Sequence, residues 1–148
     1  IKYIYVPSGY TYIFSYAFAD LSGLNKITFP KTATGIENYA LAGCKNLTEL
    51  TLSYDSYADI IGIFGANRNT LTGYKLTTLN VYRPDGKSTV EFSSGNCVLF
   101  ENLTTVNIYT EFIGGITYTV DGRKINVSKT VFKNGVDETS GTITYYLK

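Results

Sequence analysis

Tyr39-Ala40-Leu41-Ala42-Gly43-Cys44-Lys45-Asn46-Leu47-Thr48-Glu49-Leu50-Thr51-Leu52 restates, at an offset of 23 residues, the stretch Tyr16-Ala17-Phe18-Ala19-Asp20-Leu21-Ser22-Gly23-Leu24-Asn25-Lys26-Ile27-Thr28-Phe29. Tyr, Ala, Ala, Leu and Thr recur identically. Most other core-type positions keep their apolar character, as in Phe18 against Leu41 and Ile27 against Leu50. A fixed period in this range marks a solenoid, in which each repeat buries its apolar side only against its neighbours.

The kernel is apolar-x-x-apolar-x-apolar. It occurs as Ile1/Ile4/Val6, Leu24/Ile27/Phe29, Leu47/Leu50/Leu52, Leu76/Leu79/Val81 and Leu103/Val106/Ile108, with starts 23, 23, 29 and 27 residues apart. The match extends to Val6-Pro7 against Phe29-Pro30 and to Ile13 against Ile36. Within each kernel the last residues alternate apolar and polar, as a short strand with one buried face requires. Successive repeats then lay these strands side by side as a parallel sheet. The Tyr-Ala-Phe and Tyr-Ala-Leu segments form the return path as turns of helix, with Ser15 and Asn38 as expected N-caps.

The stretch Ile36-x-x-Tyr39-Ala40-Leu41-x-x-Cys44-x-x-Leu47-Thr48-x-Leu50-Thr51-Leu52, with the matching Ile13 to Pro30, resembles the BspA-type leucine-rich repeats of bacterial surface proteins. The longer third repeat, Tyr54 to Ala66, is similar to an insertion of that family. The resemblance covers roughly residues 1–116 and is most specific over 1–52. It implies an α/β, β-rich fold: a right-handed leucine-rich-repeat solenoid with a concave parallel sheet and short convex helical turns. It also implies an extracellular or cell-surface location and a non-catalytic role in protein binding or adhesion. The implied partners are host or bacterial surface proteins, with glycans as a lesser alternative. A purely structural spacer in a larger surface protein is the competing reading.

At 148 residues the chain is one domain, or one domain plus a cap. Thirteen basic and twelve acidic residues leave a net charge of +1, which gives no field for nucleic acid and no basic face for a membrane surface. No apolar run reaches the length of a membrane span. A monomer is expected. Because the chain opens inside a kernel, it reads as a segment of a longer product. Tyrosine is abundant, at 14 residues, and suits both half-buried sheet positions and binding surfaces.

Residues 55–66 read as a short helix capped by Asp55 or Ser56, with Ile60, Ile61 and Phe64 as its apolar stripe. Asn67 to Tyr74 reads as a loop, and Arg83-Pro84-Asp85-Gly86 as a turn. The tail changes character. Asp121-Gly122 between alternating stretches, then Asn134-Gly135, predict two hairpins. Residues 1–116 are therefore assigned to the repeats, and 117–148 to a C-terminal antiparallel β-meander that caps the array or links it to a following module.

Chemistry is sparse. The chain has no histidine, which removes Ser-His and Cys-His nucleophilic sites and His-based metal sites. Asp55 with Asp59, and Asp137-Glu138, are better read as helix-face and turn residues than as catalytic pairs. Ile113-Gly114-Gly115-Ile116 lacks the lysine and the setting of a phosphate loop. No catalytic residue, metal or cofactor is expected. Cys44 and Cys97 fall on core-type positions two repeats apart, beyond the usual reach of a disulfide, and are expected as free thiols. Asn46, Asn102 and Asn126 match the glycosylation acceptor pattern, though two of the three are simply kernel text.

The surface expected to act is the polar side of the sheet. One column is Tyr3, Lys26, Glu49, Thr78 and Thr105, and the next is Tyr5, Thr28, Thr51, Asn80 and Asn107; Tyr54, Tyr82 and Tyr109 lie near strand ends. Lys26 and Glu49 are expected as cross-strand neighbours of opposite charge. The bland alternative is that these Thr and Asn rows are merely good solvated sheet residues. On this register Leu47→Ala is expected to be severe and Thr51→Ala cheap.

Overall fold

The computed structural model describes residues 1–57, 60–65, 74–82, 89–91, 102–103, 105–110, 117–119, 121–133 and 136–147. Its elements are β1 (Tyr3–Tyr5), β2 (Tyr12–Ile13), β3 (Lys26–Thr28), β4 (Gly35–Ile36), β5 (Glu49–Ser53), α1 (Tyr54–Tyr57), α2 (Ile60–Ile63), β6 (Thr78–Tyr82), β7 (Thr89–Glu91), β8 (Thr105–Thr110), β9 (Thr117–Thr119), β10 (Asp121–Lys133) and β11 (Val136–Leu147).

The five kernels become β1, β3, β5, β6 and β8, neighbours in one seven-stranded sheet of order β1-β3-β5-β6-β8-β10-β11. Every pairing in it is parallel except β10 with β11. The register holds kernel against kernel, with Ile4, Ile27, Leu50, Leu79 and Val106 side by side. A recurring clamp enforces it. Lys2 C=O accepts from the amides of Asn25 and Lys26, Asn25 C=O from those of Thr48 and Glu49, and Thr48 C=O from those of Thr77 and Thr78. Parallel strands need a long crossover. Here its first passes are turns and the small parallel pair β2–β4, which sets Ile13 beside Ile36.

The alternating apolar members fill the interior. Leu24, Ile27, Phe29, Leu47, Leu50, Leu52, Leu76, Leu79 and Val81 are buried, and Ala40, Leu41, Tyr57, Ile60 and Ile63 close the core from the return side. Burial of one such aliphatic side chain is worth about 1.5–3 kcal/mol. The result is a repeat fold organised on a mostly parallel sheet with little helix.

Four expectations need correction. The Tyr-Ala segments are not helical: Tyr16 and Tyr39 have φ of 61° and 68°, a left-handed backbone that cannot continue a right-handed helix. They form successive turns tied across repeats by Phe18 N–H to Ala40 C=O and Leu41 N–H to Ile63 C=O, both at 2.9 Å. Ser15 and Asn38 accordingly cap nothing. The Ser15 amide donates to Glu37 Oε2 at 2.7 Å, and the Asn38 side chain lies against Gly62, where a Cβ would collide with it.

The predicted helix forms as α1 and α2, but its cap is Ser53, whose Oγ accepts from Ser56 N–H at 3.2 Å. Ser53 lies at the end of β5, so the strand runs directly into the helix. Ser56, Tyr57, Ile60, Ile63 and Phe64 make the buried face, while Ile61 is only partly covered.

Of the two predicted hairpins only the second forms: β10 and β11 pair antiparallel from Lys133 and Val136 outward. Asp121-Gly122 lies within β10 instead of turning, and β9 pairs with β7 in a separate parallel sheet. β10 runs parallel to β8 over Asn126–Val131 on one edge while its other edge pairs antiparallel with β11. The physical reason is that Asp-Gly is only a local turn signal, whereas the free edge of β8 offers a run of ladder hydrogen bonds. The loop expected over 67–74 is described only at Tyr74, and the turns at 83–86 and 134–135 lie outside the described residues.

Cys44 is buried in the core, its Sγ 3.0 Å from Phe18 C=O, and burial pushes its thiol pKa up. Cys97 lies outside the described residues.

Candidate functional site

The parallel register brings both expected columns together. Tyr3, Lys26, Glu49, Thr78 and Thr105 are partners strand to strand, as are Tyr5, Thr28, Thr51, Asn80 and Asn107. In β10, Asn126 and Ser128 continue these columns by register. Each column sits between inward apolar residues, so the alternation of the strands places it on the face away from the core.

That face is not uniform. At its β1 end Tyr3 and Tyr5 are 70% and 75% exposed. Lys26 Nζ and Glu49 Oε2 pair at 2.8 Å, and the carboxylate holds the Lys26 ammonium above its ordinary pKa. A half-exposed pair of this kind stabilises by about 0–1 kcal/mol. Its larger effect is to neutralise both charges locally. Thr28, Thr78, Thr105 and Asn107 are partly covered.

The centre is closed. Thr51 and Asn80 are only 5% and 6% exposed. Asn80 Nδ2 donates to Thr51 Oγ1 at 2.9 Å and lies 3.4 Å from Glu49 Oε1, while Asn107 Nδ2 donates to Asn80 Oδ1 at 2.7 Å. Here the row is a hydrogen-bonded ladder that spends its polar groups on itself. Tyr82 and Tyr109 pack with ring centroids 5.2 Å apart at the far end of β6 and β8. Burial raises the Tyr82 phenol pKa, and the nearby Tyr5 hydroxyl adds to it. Tyr54 opens α1 and packs on Tyr57, outside both columns.

A second group of aromatic residues was not read from the sequence as a surface. Tyr12, Phe14, Tyr16 and Tyr39 are all exposed along the flank formed by β2, β4 and the turns. The Tyr16 and Tyr39 rings stack with centroids 5.3 Å apart and planes within 9°. The Tyr12 ring crosses Gly35, which has room for it only for want of a Cβ, and its hydroxyl donates to Glu37 Oε1 at 2.5 Å. The signal was present: Tyr recurs at the same place in both repeats, and aromatic residues alternate from Tyr10 to Tyr16.

Among the described residues no group of three or more His, Cys, Asp or Glu could hold a metal ion. No helix among them is long and apolar enough to cross a membrane.

No curated protein and no solved structure matches the chain. The family model described as BspA type leucine rich repeat region matches residues 1–110 in six copies, one more than the five kernels read from the sequence. With the kernel register and the parallel sheet, that match places the chain in the family of BspA-type leucine-rich-repeat proteins.

Proposed function

We propose that this repeat module recognises a protein partner at the cell surface or outside the cell, through the face of the parallel sheet turned away from the core. The observation that carries the reading is the pair of register-aligned columns, open at Tyr3 and Tyr5 and locally neutral at Lys26 and Glu49. Exposed tyrosines supply large rigid contacts with polar tips at low entropic cost, and flanking Thr and Asn supply adaptable hydrogen bonds. Repeat arrays characteristically bind through an extended face of this kind.

In this reading the repeats coil as a right-handed solenoid with the parallel sheet concave, residues 117–148 close its downstream end, and the module acts as a non-catalytic adhesion domain working as a monomer. Its partners are host or bacterial surface proteins. The closed Asn80–Thr51–Asn107 ladder favours a second reading, a structural spacer whose polar row serves the fold alone.

The test is capture of extracellular-matrix proteins on the immobilised chain, beside a Tyr3→Ala/Tyr5→Ala variant. Both rings are exposed, so the variant is expected to keep its fold. A partner held by the parent chain and lost by the variant supports the recognition face. Capture unchanged in the variant overturns it, and capture by neither selects the spacer.

A further inference from the structure

The flank formed by β2, β4 and the turns presents aromatic rings that stand outside the core. Tyr16 and Tyr39 both hold left-handed backbone, at φ 61° and 68°, a conformation that glycine adopts freely and aromatic residues rarely do. Their rings are not buried in return; Tyr16 is 63% and Tyr39 44% exposed. What the strained backbone does hold is a pair of outward rings, nearly parallel, with Tyr39 resting on Gly65 and Tyr16 resting on Tyr39.

The surroundings select the ligand. From Tyr10 to Tyr16 the outward side chains alternate Tyr, Tyr, Phe and Tyr, while the one aliphatic residue, Ile13, turns into the core. The flank therefore offers ring faces and hydroxyl tips without the aliphatic anchors common at protein contacts. The carboxylate between the repeats, Glu37, stays ionised; its oxygens are taken by the Tyr12 hydroxyl and the Ser15 amide, and its charge disfavours an acidic ligand. An aromatic face edged by tyrosine hydroxyls and by a carboxylate whose oxygens are already engaged complements a neutral pyranose ring, whose C–H face is apolar and whose rim is hydroxylated.

We propose that the Tyr16–Tyr39 flank binds a neutral polysaccharide, with a sugar ring stacking on the outer face of Tyr16, which Tyr39 supports from behind. This surface is separate from Tyr3 and Tyr5, and the proposal does not depend on the protein partner.

The experiment is affinity electrophoresis of the whole chain through gels containing soluble β-1,4-glucan, xylan, mannan or dextran, against a plain gel. The decisive variant is Tyr16→Gly/Tyr39→Gly, because the backbone at both positions already suits glycine; Tyr16→Asn/Tyr39→Asn is a second variant tolerated in the left-handed region. At least one polysaccharide is expected to retard the parent chain. Both variants are expected to unfold thermally within a few degrees of the parent and to bind about tenfold or more weakly. Tyr3→Ala/Tyr5→Ala should leave retardation unchanged. No retardation by any of the four polysaccharides, equal retardation of parent and variants, or capture of a protein through this flank instead would overturn the proposal.

Discussion

Asn80 and Thr51 face each other across β6 and β5, with the Asn80 amide donating to the Thr51 hydroxyl at 2.9 Å and both side chains nearly closed to solvent. A polar row that looks solvated in one dimension is thus a buried network in three. Removing one partner from a buried hydrogen bond leaves the other unsatisfied, at about 1–3 kcal/mol. Thr51→Ala should therefore destabilise by that amount, contrary to the cheap substitution expected from alternation alone. Thr51→Ser keeps the hydroxyl and should cost well under half as much. Urea unfolding of the two variants checks this; equal midpoints would show that the hydroxyl contributes nothing.

Leu47 tests the core side of the same repeat. It is 1% exposed and sits where one repeat packs on the next. Leu47→Ala removes buried methyl groups and leaves a cavity that the parallel ladder prevents from collapsing, so the loss should be about 2–5 kcal/mol. The unfolding midpoint in urea should fall accordingly, with the slope unchanged. A loss under about 1 kcal/mol would mean that the inter-repeat packing around Leu47 relaxes freely.

Glu37 gives the fold an acid limit. Its carboxylate accepts from the Tyr12 hydroxyl and the Ser15 amide, which together hold its pKa below the usual carboxylate value. A depressed acid contributes stability that is complete above its unfolded pKa and is lost as pH falls through the folded one. The same contact raises the Tyr12 phenol. Its share is therefore complete below the ordinary phenol value and lost as pH rises through the raised one. Carboxyl NMR titration should place Glu37 below the ordinary glutamate value. Glu37→Gln should remove part of the acid dependence of the thermal midpoint. Identical pH profiles for the parent and Glu37→Gln would refute the linkage.

The strands were legible because the kernel states its own period: Leu24, Ile27 and Phe29 recur as Leu47, Leu50 and Leu52, and only one register buries all six. What the sequence hid followed from rules that read residues singly. Tyr16 and Tyr39 looked like helix because nothing in a tyrosine announces left-handed backbone. Ser53 gave no signal of its own; it ends β5 and also caps α1, a double role that a residue-by-residue reading assigns to Asp55 or Ser56 instead. Asp121-Gly122 is a sound turn signal that yields to an available strand edge. In the candidate face the columns followed from period alone, whereas the closure at Asn80 depended on side-chain reach across strands, which no linear pattern encodes.

Gly43 and Gly9 separate backbone requirement from mere smallness. Gly43 holds φ at 79°, and a Cβ there would strike the Asp20 carboxylate of the preceding turn, which is itself left-handed at φ 59°. The two turns are locked by Asp20 N–H donating to Ala42 C=O at 2.7 Å, so neither can shift to make room. Gly43→Ala should cost about 1–3 kcal/mol from strain and displaced contact. Gly9 has nothing within 4 Å of the corresponding position and no left-handed requirement, and Gly9→Ala should fall within about 0.5 kcal/mol of the parent. Thermal unfolding of the pair decides the matter. If Gly43→Ala melts with the parent, the turns of successive repeats are not locked as described, and the left-handed positions at Tyr16 and Tyr39 lose their structural frame.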